Sequence, residues 1–544
     1  MPKFSRRLLL GAEIGVRHEH LLPMSDHASK NHTLAADASW LTLAKVLAFG
    51  VSFLLPLIMV RKLSQADFGL YRQLFLVVTN AMTVLPFGFA MSAFYFLPRA
   101  GERRRAVAMN VVAVYAAVAM IAGSVLLFRP TILAAIFNDG RLVSYAPLVA
   151  AVLFLVVASS FVDILALANG DIKGAAAFVV ITNVTKTLLL ATAAIFFGSV
   201  RAILIASALH GLLQFIFLLV YLKRGFGSFL GRIDTAMLRQ QMAYAIPFGF
   251  AYWLYWLQTE AHHYFVARAF GASTYAVYAI GCVMFPLTLV FGESIGFVII
   301  RRVSELHSQS RREDIVALLG HAVRNLSAFY LPLYAILLVT GRDLIAIVYT
   351  RRFLASWPIF AINLTLMPLS ILSIISDAVM RSYTECRPFL VGLRMALVPI
   401  VLAALWVLTP RYGPVAAIST VVGITALERV ILAGRTARAL QLRRCDAVLL
   451  KGVIGVVVSV LLAGAAAFFV RSAFGEAQHW PALIAASTVF VAAYIAATSV
   501  RAIIYREDVI SEFPLAVFPE RLREVLADLL TRARDSNEAT EKAA

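Results

Sequence analysis

Acidic residues are scarce in this chain of 544 residues: 30 Asp and Glu stand against 49 Lys and Arg, and charged residues of both signs make up only 15%. Soluble domains carry about 25% charged residues, so a water-exposed surface around one core is excluded. Cysteine is scarcer still. Cys282, Cys386 and Cys445 lie far apart and are odd in number, so neither a disulfide framework nor a metal cluster follows from their spacing. The chain has no Gly-rich phosphate loop, nucleophile constellation or metal motif, so its residues point away from an enzyme. No stretch alternates apolar and polar residues over the roughly ten positions of an outer-membrane strand, which removes a β-barrel. The start, "MPKFSRRLLLGAEIGVRHEHLLPMSDHASK", lacks the features of a signal peptide. Its apolar stretch is short, Glu13 interrupts it, and no small-residue cleavage site follows. It reads as a cytoplasmic tail, or else Met24 is the initiator.

What the chain does have is hydrophobicity in blocks. Apolar residues make up 61% and the mean hydropathy is +0.83. The blocks run to about 20–25 residues, enough to cross a hydrocarbon core of about 30 Å at 1.5 Å per residue. The fold class is an all-α polytopic membrane protein with about fourteen spans. They are read at 38–60, 67–92, 106–128, 143–168, 174–197, 200–222, 239–266, 272–299, 322–349, 355–380, 388–409, 413–435, 448–470 and 481–504. Residues 1–37 form a cytoplasmic tail, and 505–544 a second one. The latter carries "FPERLREVLADLLTRAR", an amphipathic helix suited to lie on a membrane surface.

The net charge of +19 would suggest nucleic acid in a soluble protein. Here it reads as loop charge that sets orientation, with no nucleic-acid partner. Four loops hold the basic clusters: Arg99 with Arg103, Arg104 and Arg105; Lys223, Arg224, Arg232 and Arg239; Arg301, Arg302, Arg311 and Arg312; and Arg435, Arg438, Arg443, Arg444 and Lys451. With fourteen spans all four fall on one side, which places both termini in the cytoplasm of a bacterial inner membrane.

Three local matches recur in the same order. "VRKLSQADFGLYRQLF" from Val60 returns as "ARAFGASTYAVYAIGC" from Ala267, pairing Arg61 with Arg268 and Tyr71 with Tyr278 at a shift of 207. At a shift of 212, "FNDGRLVSYAPL" from Phe137 meets "YTRRFLASWPIF" from Tyr349. Later, "NGDIKG" from Asn169 faces "YTECRP" from Tyr383. The pattern predicts two six-helix lobes, 38–222 and 239–435, joined by a cytoplasmic linker at 223–238 and followed by two extra helices at 448–504. An even count gives both lobes one orientation and a pseudo-two-fold axis along the membrane normal. Within the first hairpin, Ser64 with Asp67 three residues on is suited to cap the incoming helix.

These residues carry a resemblance. Span 1, then "RKLSQADFGLYRQL", then span 2 ending in "FGFAMSAFYFLPRAGERRR", resembles polysaccharide and oligosaccharide (Wzx-like) flippases of the MOP (multidrug/oligosaccharidyl-lipid/polysaccharide) exporter superfamily. Their pattern is a basic-hydrophobic pair, a Ser or Pro, an acidic residue, then Phe-Gly-x-Tyr; here it is Arg61-Lys62-Leu63-Ser64 with Asp67-Phe68-Gly69-Leu70-Tyr71. The resemblance implies two lobes around a central cavity, alternating access, and a lipid-linked oligosaccharide as cargo. Superfamily membership alone leaves the cargo open.

Charges inside spans are costly and face a cavity or a partner. Lys45 in span 1, Lys186 in span 5 and Arg394 in span 11 are the candidate cations for a polyprenyl diphosphate headgroup. Structural ion pairing, or reaching to an interface, is the competing reading. Glu260, His263 and Glu293 are candidates for ion coupling, with H⁺ or Na⁺ as the ion and no other cofactor expected. Glu260 and His263 also look like half of a metal site, but a third ligand is missing. Tyr252, Trp253 and Trp256 are candidate sugar contacts, weighed against packing on lipid. Asp163 and Asp377 occupy equivalent helix ends and read as partners of loop arginines.

Three functions compete. A flippase for lipid-linked oligosaccharide fits the deep cations, with polysaccharide polymerase or assembly proteins as candidate partners. A multidrug or small-cation antiporter calls for an acidic, aromatic cavity instead. A membrane polymerase, ligase or glycosyltransferase would need a large extracytoplasmic catalytic loop, whereas the longest loops here are the basic ones.

Overall fold

Lipid cannot satisfy backbone N–H and C=O groups, so long apolar segments close their hydrogen bonds internally as helices. The computed structural model describes residues 47–505, apart from 49, 229, 230, 232, 285, 444, 445 and 447–450. Among the described residues every regular element is helical. The first half holds α1 (50–62), α2 (Gln65–Val84), α3 (Ser92–Phe96), α4 (Arg104–Phe128), α5 (Thr131–Phe137), α6 (Ala146–Ser159), α7 (Val162–Ala168), α8 (Ile172–Phe196) and α9 (Val200–Phe226). The second holds α10 (Thr235–Glu260), α11 (His262–Gly281), α12 (Pro286–Ser308), α13 (Arg312–Val348), α14 (Trp357–Leu364), α15 (Leu366–Ser382), α16 (Arg387–Tyr412) and α17 (Pro414–Ala439). Then come α18 (Lys451–Ser472) and α19 (His479–Tyr505).

Eleven candidate spans, helices or near-continuous helical runs, are long and apolar enough to cross a membrane among the described residues. The sequence predicts about fourteen, and the difference has two local causes. The first span is described only from residue 47. The region read as spans 7 and 8 forms three helices, α10 to α12, parted at Ala261 and Cys282–Met284, and their polar and charged residues leave none of them apolar enough to count as a span. Lys45, Met24 and the amphipathic stretch of the C-terminal tail lie outside the described residues.

The turn between the expected spans 7 and 8 is Gly271, at φ 72° and ψ 178°. That backbone is open to glycine and strained for other residues. It folds α11 into a hairpin, so that Tyr275 and Tyr278 on the second arm return to His263 and His262 on the first. In the first half the matching turn lies at Leu63–Ser64. Ser64 caps α2 as its sequence suggests: the Asp67 amide donates to its Oγ at 3.0 Å, and the Ser64 hydroxyl donates to the Asp67 carboxylate at 2.6 Å.

These two hairpins pack against each other. Burying apolar surface gains little between helices already in lipid, so close backbone approach and interhelical hydrogen bonds hold them, the latter worth about 0.6 kcal/mol each on average. Gly69 sits so close to Ala272 that a Cβ would lie 1.8 Å from the Ala272 carbonyl oxygen. Gln65 Nε2 donates to the Ser273 carbonyl at 3.2 Å, and buried Gln73 donates to that of Ala267 at 3.1 Å. Farther along, Asn80 donates to the Tyr264 hydroxyl at 3.1 Å and accepts from the Trp256 indole at 3.2 Å. At the opposite end buried Gln241 accepts from Asn110 at 2.9 Å and donates to Ser92 at 3.2 Å. The two halves thus meet along one seam, α2 against α11 at one end and α3 and α4 against α10 at the other.

α18 and α19 pack on each other and on α13, and one charge cluster fixes them there. Asp343 of α13 is fully buried; Arg471 grips it with two guanidinium nitrogens, and His479 Nδ1 lies 2.7 Å from its Oδ1.

Candidate functional site: a cation-lined interior

A cavity of about 250 Å³ lies inside the first half, between α2, α6, α8 and α9. Its wall includes Phe75, Thr79, Asn183, Lys186, His210 and Gln214. Lys186 is 10 residues from the nearer end of α8, roughly 15 Å at 1.5 Å per residue, too deep to reach an interface. Its ammonium forms no hydrogen bond or ion pair among the described residues. One turn earlier, Asn183 is held by Ser52, whose hydroxyl donates to Asn183 Oδ1 at 2.9 Å. That bond ties α1 to α8 and fixes the wall beside the lysine. His210 of α9 lines the same cavity, with its Nδ1 3.4 Å from Thr185 Oγ1. Asp163 completes one edge of it.

A second cation, Arg72, lies inside the span that begins at Gln65. It is half-buried on α2 and, like Lys186, forms no hydrogen bond or ion pair among the described residues. In sequence Arg72 lies inside the span read at 67–92, yet it is not among the candidate cations. The available signal was its position eight residues past the Ser64 cap, two helical turns into the span.

Arg394 has a different setting. Its Nε donates to buried Glu428 at 3.0 Å, and its guanidinium stands over the Tyr255 ring at 4.8 Å. Gln258 donates to the other Glu428 oxygen at 2.7 Å. The residue is thus a member of a buried ion pair, the alternative weighed for it from sequence. Arg429, buried next in sequence to Glu428, has an Nη1 with no partner among the described residues.

Among the remaining candidates, Glu260 is the more open acid, with its side chain 46% exposed and an oxygen 3.9 Å from His263 Nε2. Glu293 is on α12, and its side chain lies outside the described residues. Tyr252 is exposed, Trp253 stacks on Phe87 at 6.5 Å, and Trp256 is committed to Asn80. Asp377 pairs with Arg381 at 3.3 Å.

The fold has known counterparts. Residues 34–290 match the family described as "Polysaccharide biosynthesis protein". The fold is similar to that of the lipid II flippase MurJ in an inward closed conformation, with a TM-score of 0.67 at 12% identity, over 86% of this chain and 99% of that one. It is also similar to a multidrug resistance MATE family transporter of the MOP superfamily in its inward-facing conformation, with a TM-score of 0.56 at 14% identity, over 74% of this chain and 94% of that one. A MATE transporter of Vibrio cholerae gives a TM-score of 0.52 at 14% identity, over 76% and 99%. No curated protein sequence matches. At these identities the structural likeness is one of fold.

Proposed function

We propose that this chain, a membrane transporter belonging to the MOP exporter superfamily, flips a polyprenyl-diphosphate-linked oligosaccharide from the inner to the outer leaflet of a bacterial inner membrane by alternating access. The observation that carries this reading is Lys186, a deep cation with no partner among the described residues, on the wall of an interior cavity. A diphosphate is a compact anion of high charge. Two unit charges 4 Å apart attract by about 4 kcal/mol at an effective dielectric constant of 20, and an interior cation without a partner is ready to supply that. Arg72 is the second such cation, and Lys45 a third from sequence. Arg394, already bound by Glu428, stands lower among them.

In this reading the basic loops and both termini face the cytoplasm, and the Gly69–Ala272 end faces outward. The lobes are 38–222 and 239–435, and helices 448–504 are an appendage. Glu260 and His263, with Glu293, take up H⁺ or Na⁺ to drive the cycle. Tyr252, Trp253 and Trp256 offer faces for sugar rings. The exported unit passes to polymerase or assembly proteins.

One observation favours a second reading, multidrug or small-cation antiport: the open Glu260 carboxylate on the same helix as the exposed ring of Tyr252. One experiment separates the two. After deletion of the gene, extracted lipids from a flippase mutant hold accumulated lipid-linked oligosaccharide on the cytoplasmic face. Normal lipid pools with altered drug tolerance sink the flippase reading.

A further inference from the structure

The sequence shows two adjacent histidines and a distant cysteine. The fold brings them together. Gly271 folds α11 back on itself, so Cys282, just past the second arm, returns to His262 and His263 on the first. One nitrogen from each imidazole and the Cys282 Sγ all lie within 4.8 Å of one another. The rings are held in place: His262 Nδ1 is 2.5 Å from the Tyr278 hydroxyl, and His263 Nδ1 is 3.3 Å from that of Tyr275.

We propose that His262, His263 and Cys282 form a binding site for a thiophilic transition-metal ion of the zinc(II) type. Two imidazoles and a thiolate are a donor set suited to such an ion. A tetrahedral ion at 2.0–2.3 Å holds its ligand atoms about 3.3–3.8 Å apart, so the donor separations need to shrink by at most about 1–1.5 Å. The fourth position is open to water. Glu260, whose carboxylate is 3.9 Å from His263 Nε2, adds a negative charge at the open edge, so that thiolate and carboxylate together balance a dication. Hydroxyls that fix the ligating rings are a recurring feature of metal sites. The ligands come from both arms of the hairpin, so the ion staples the arms together at the seam between the halves. This inference does not rest on the cargo proposed above, and with the ion bound His263 is a ligand, so that ion coupling falls to the carboxylates.

The test is cobalt(II) titration of the purified, chelator-treated full-length protein in detergent. The expected result is a thiolate-to-cobalt charge-transfer band that saturates at one equivalent, is displaced by zinc(II), is absent in Cys282→Ser and is retained in Cys386→Ser. His18, His20, His27 and His32 of the N-terminal tail would add thiolate-free cobalt, which the band does not register. His262→Asn should weaken binding by more than the roughly 10–100-fold that loss of an outer-shell partner costs. Zinc(II) should raise the melting temperature of the wild type and leave that of Cys282→Ser unchanged. A wild type without the band, or a band that persists in a folded Cys282→Ser protein, overturns the proposal and leaves the cluster a hydrogen-bonded one.

Discussion

Arg61 and Arg268 stand at equivalent places in the two halves, and each closes the last helical turn of a helix in the other half. Arg61 donates to the carbonyls of Ile347 and Val348 at 2.8 and 2.9 Å. Arg268 donates to the carbonyls of Ala135 and Ile136. The recipients are related by the same repeat, at a shift of 212 residues. The end of a helix carries unpaired carbonyls and partial negative charge, which a guanidinium satisfies. The polar turn that breaks the apolar sequence is thus half of a reciprocal clasp between the lobes.

Each arm of the clasp is worth about 0.3–1 kcal/mol if it acts as a cation at a helix C-terminus. Arg61→Ala and Arg268→Ala should therefore lower the melting temperature by similar small amounts, and the double variant by close to the sum. Thermal unfolding in detergent reads this directly. A neutral Arg268→Ala beside a damaging Arg61→Ala would break the symmetry claimed for them.

Gly69→Val should be far more damaging than either. Its first added carbon would fall 1.8 Å from the Ala272 carbonyl oxygen, and the two hairpins must part to make room. Overpacking of this kind costs about 1–3 kcal/mol. A cysteine pair at Gln65 and Ser273, which are bonded at 3.2 Å, should cross-link readily in an otherwise wild-type chain and poorly with Gly69→Val. Equal cross-linking in both would remove the close approach from the account.

Arg394→Ala should act through stability. It strands the buried Glu428 carboxylate, and breaking a buried pair in this way costs about 3–5 kcal/mol. Low protein level is the expected outcome, with partial recovery in Arg394→Ala combined with Glu428→Gln. Normal protein level with lost export would return Arg394 to the cargo site.

Asp343→Ala should loosen the last two helices. It leaves Arg471 and His479 without their buried anion, at a comparable cost of about 3–5 kcal/mol. Limited proteolysis should cut the 473–478 connection faster in the variant than in the wild type. Unchanged cutting would mean that apolar packing alone docks α18 and α19.

What could be read from sequence follows the length scale of each signal. Continuous apolar runs fixed the helical class, and a local cap such as Ser64 with Asp67 was legible because both partners sit within one turn. The Arg61 and Arg268 equivalence was visible too, since a repeat preserves order. Their targets were not, because Ile347 and Ala135 lie in the opposite halves. Arg394 looked like a cavity cation because its partner Glu428 is 34 residues away on another helix. Arg72 was hidden by its nearness to a polar turn. Cys282 was set aside because the cysteines are far from one another, yet the relevant neighbours are histidines 19 and 20 residues back across a glycine hinge.

The central claim is that Lys186 grips an anionic lipid-linked cargo during its passage. The most direct measurement uses purified protein in vesicles carrying a fluorescent polyprenyl-diphosphate oligosaccharide, with leaflet-specific quenching to follow its movement. Wild type should move the lipid between leaflets. Lys186→Ala, folded and at equal density, should lose most of that movement, and Lys186→Arg should retain part of it. Lipid movement by Lys186→Ala at the wild-type rate would contradict the account.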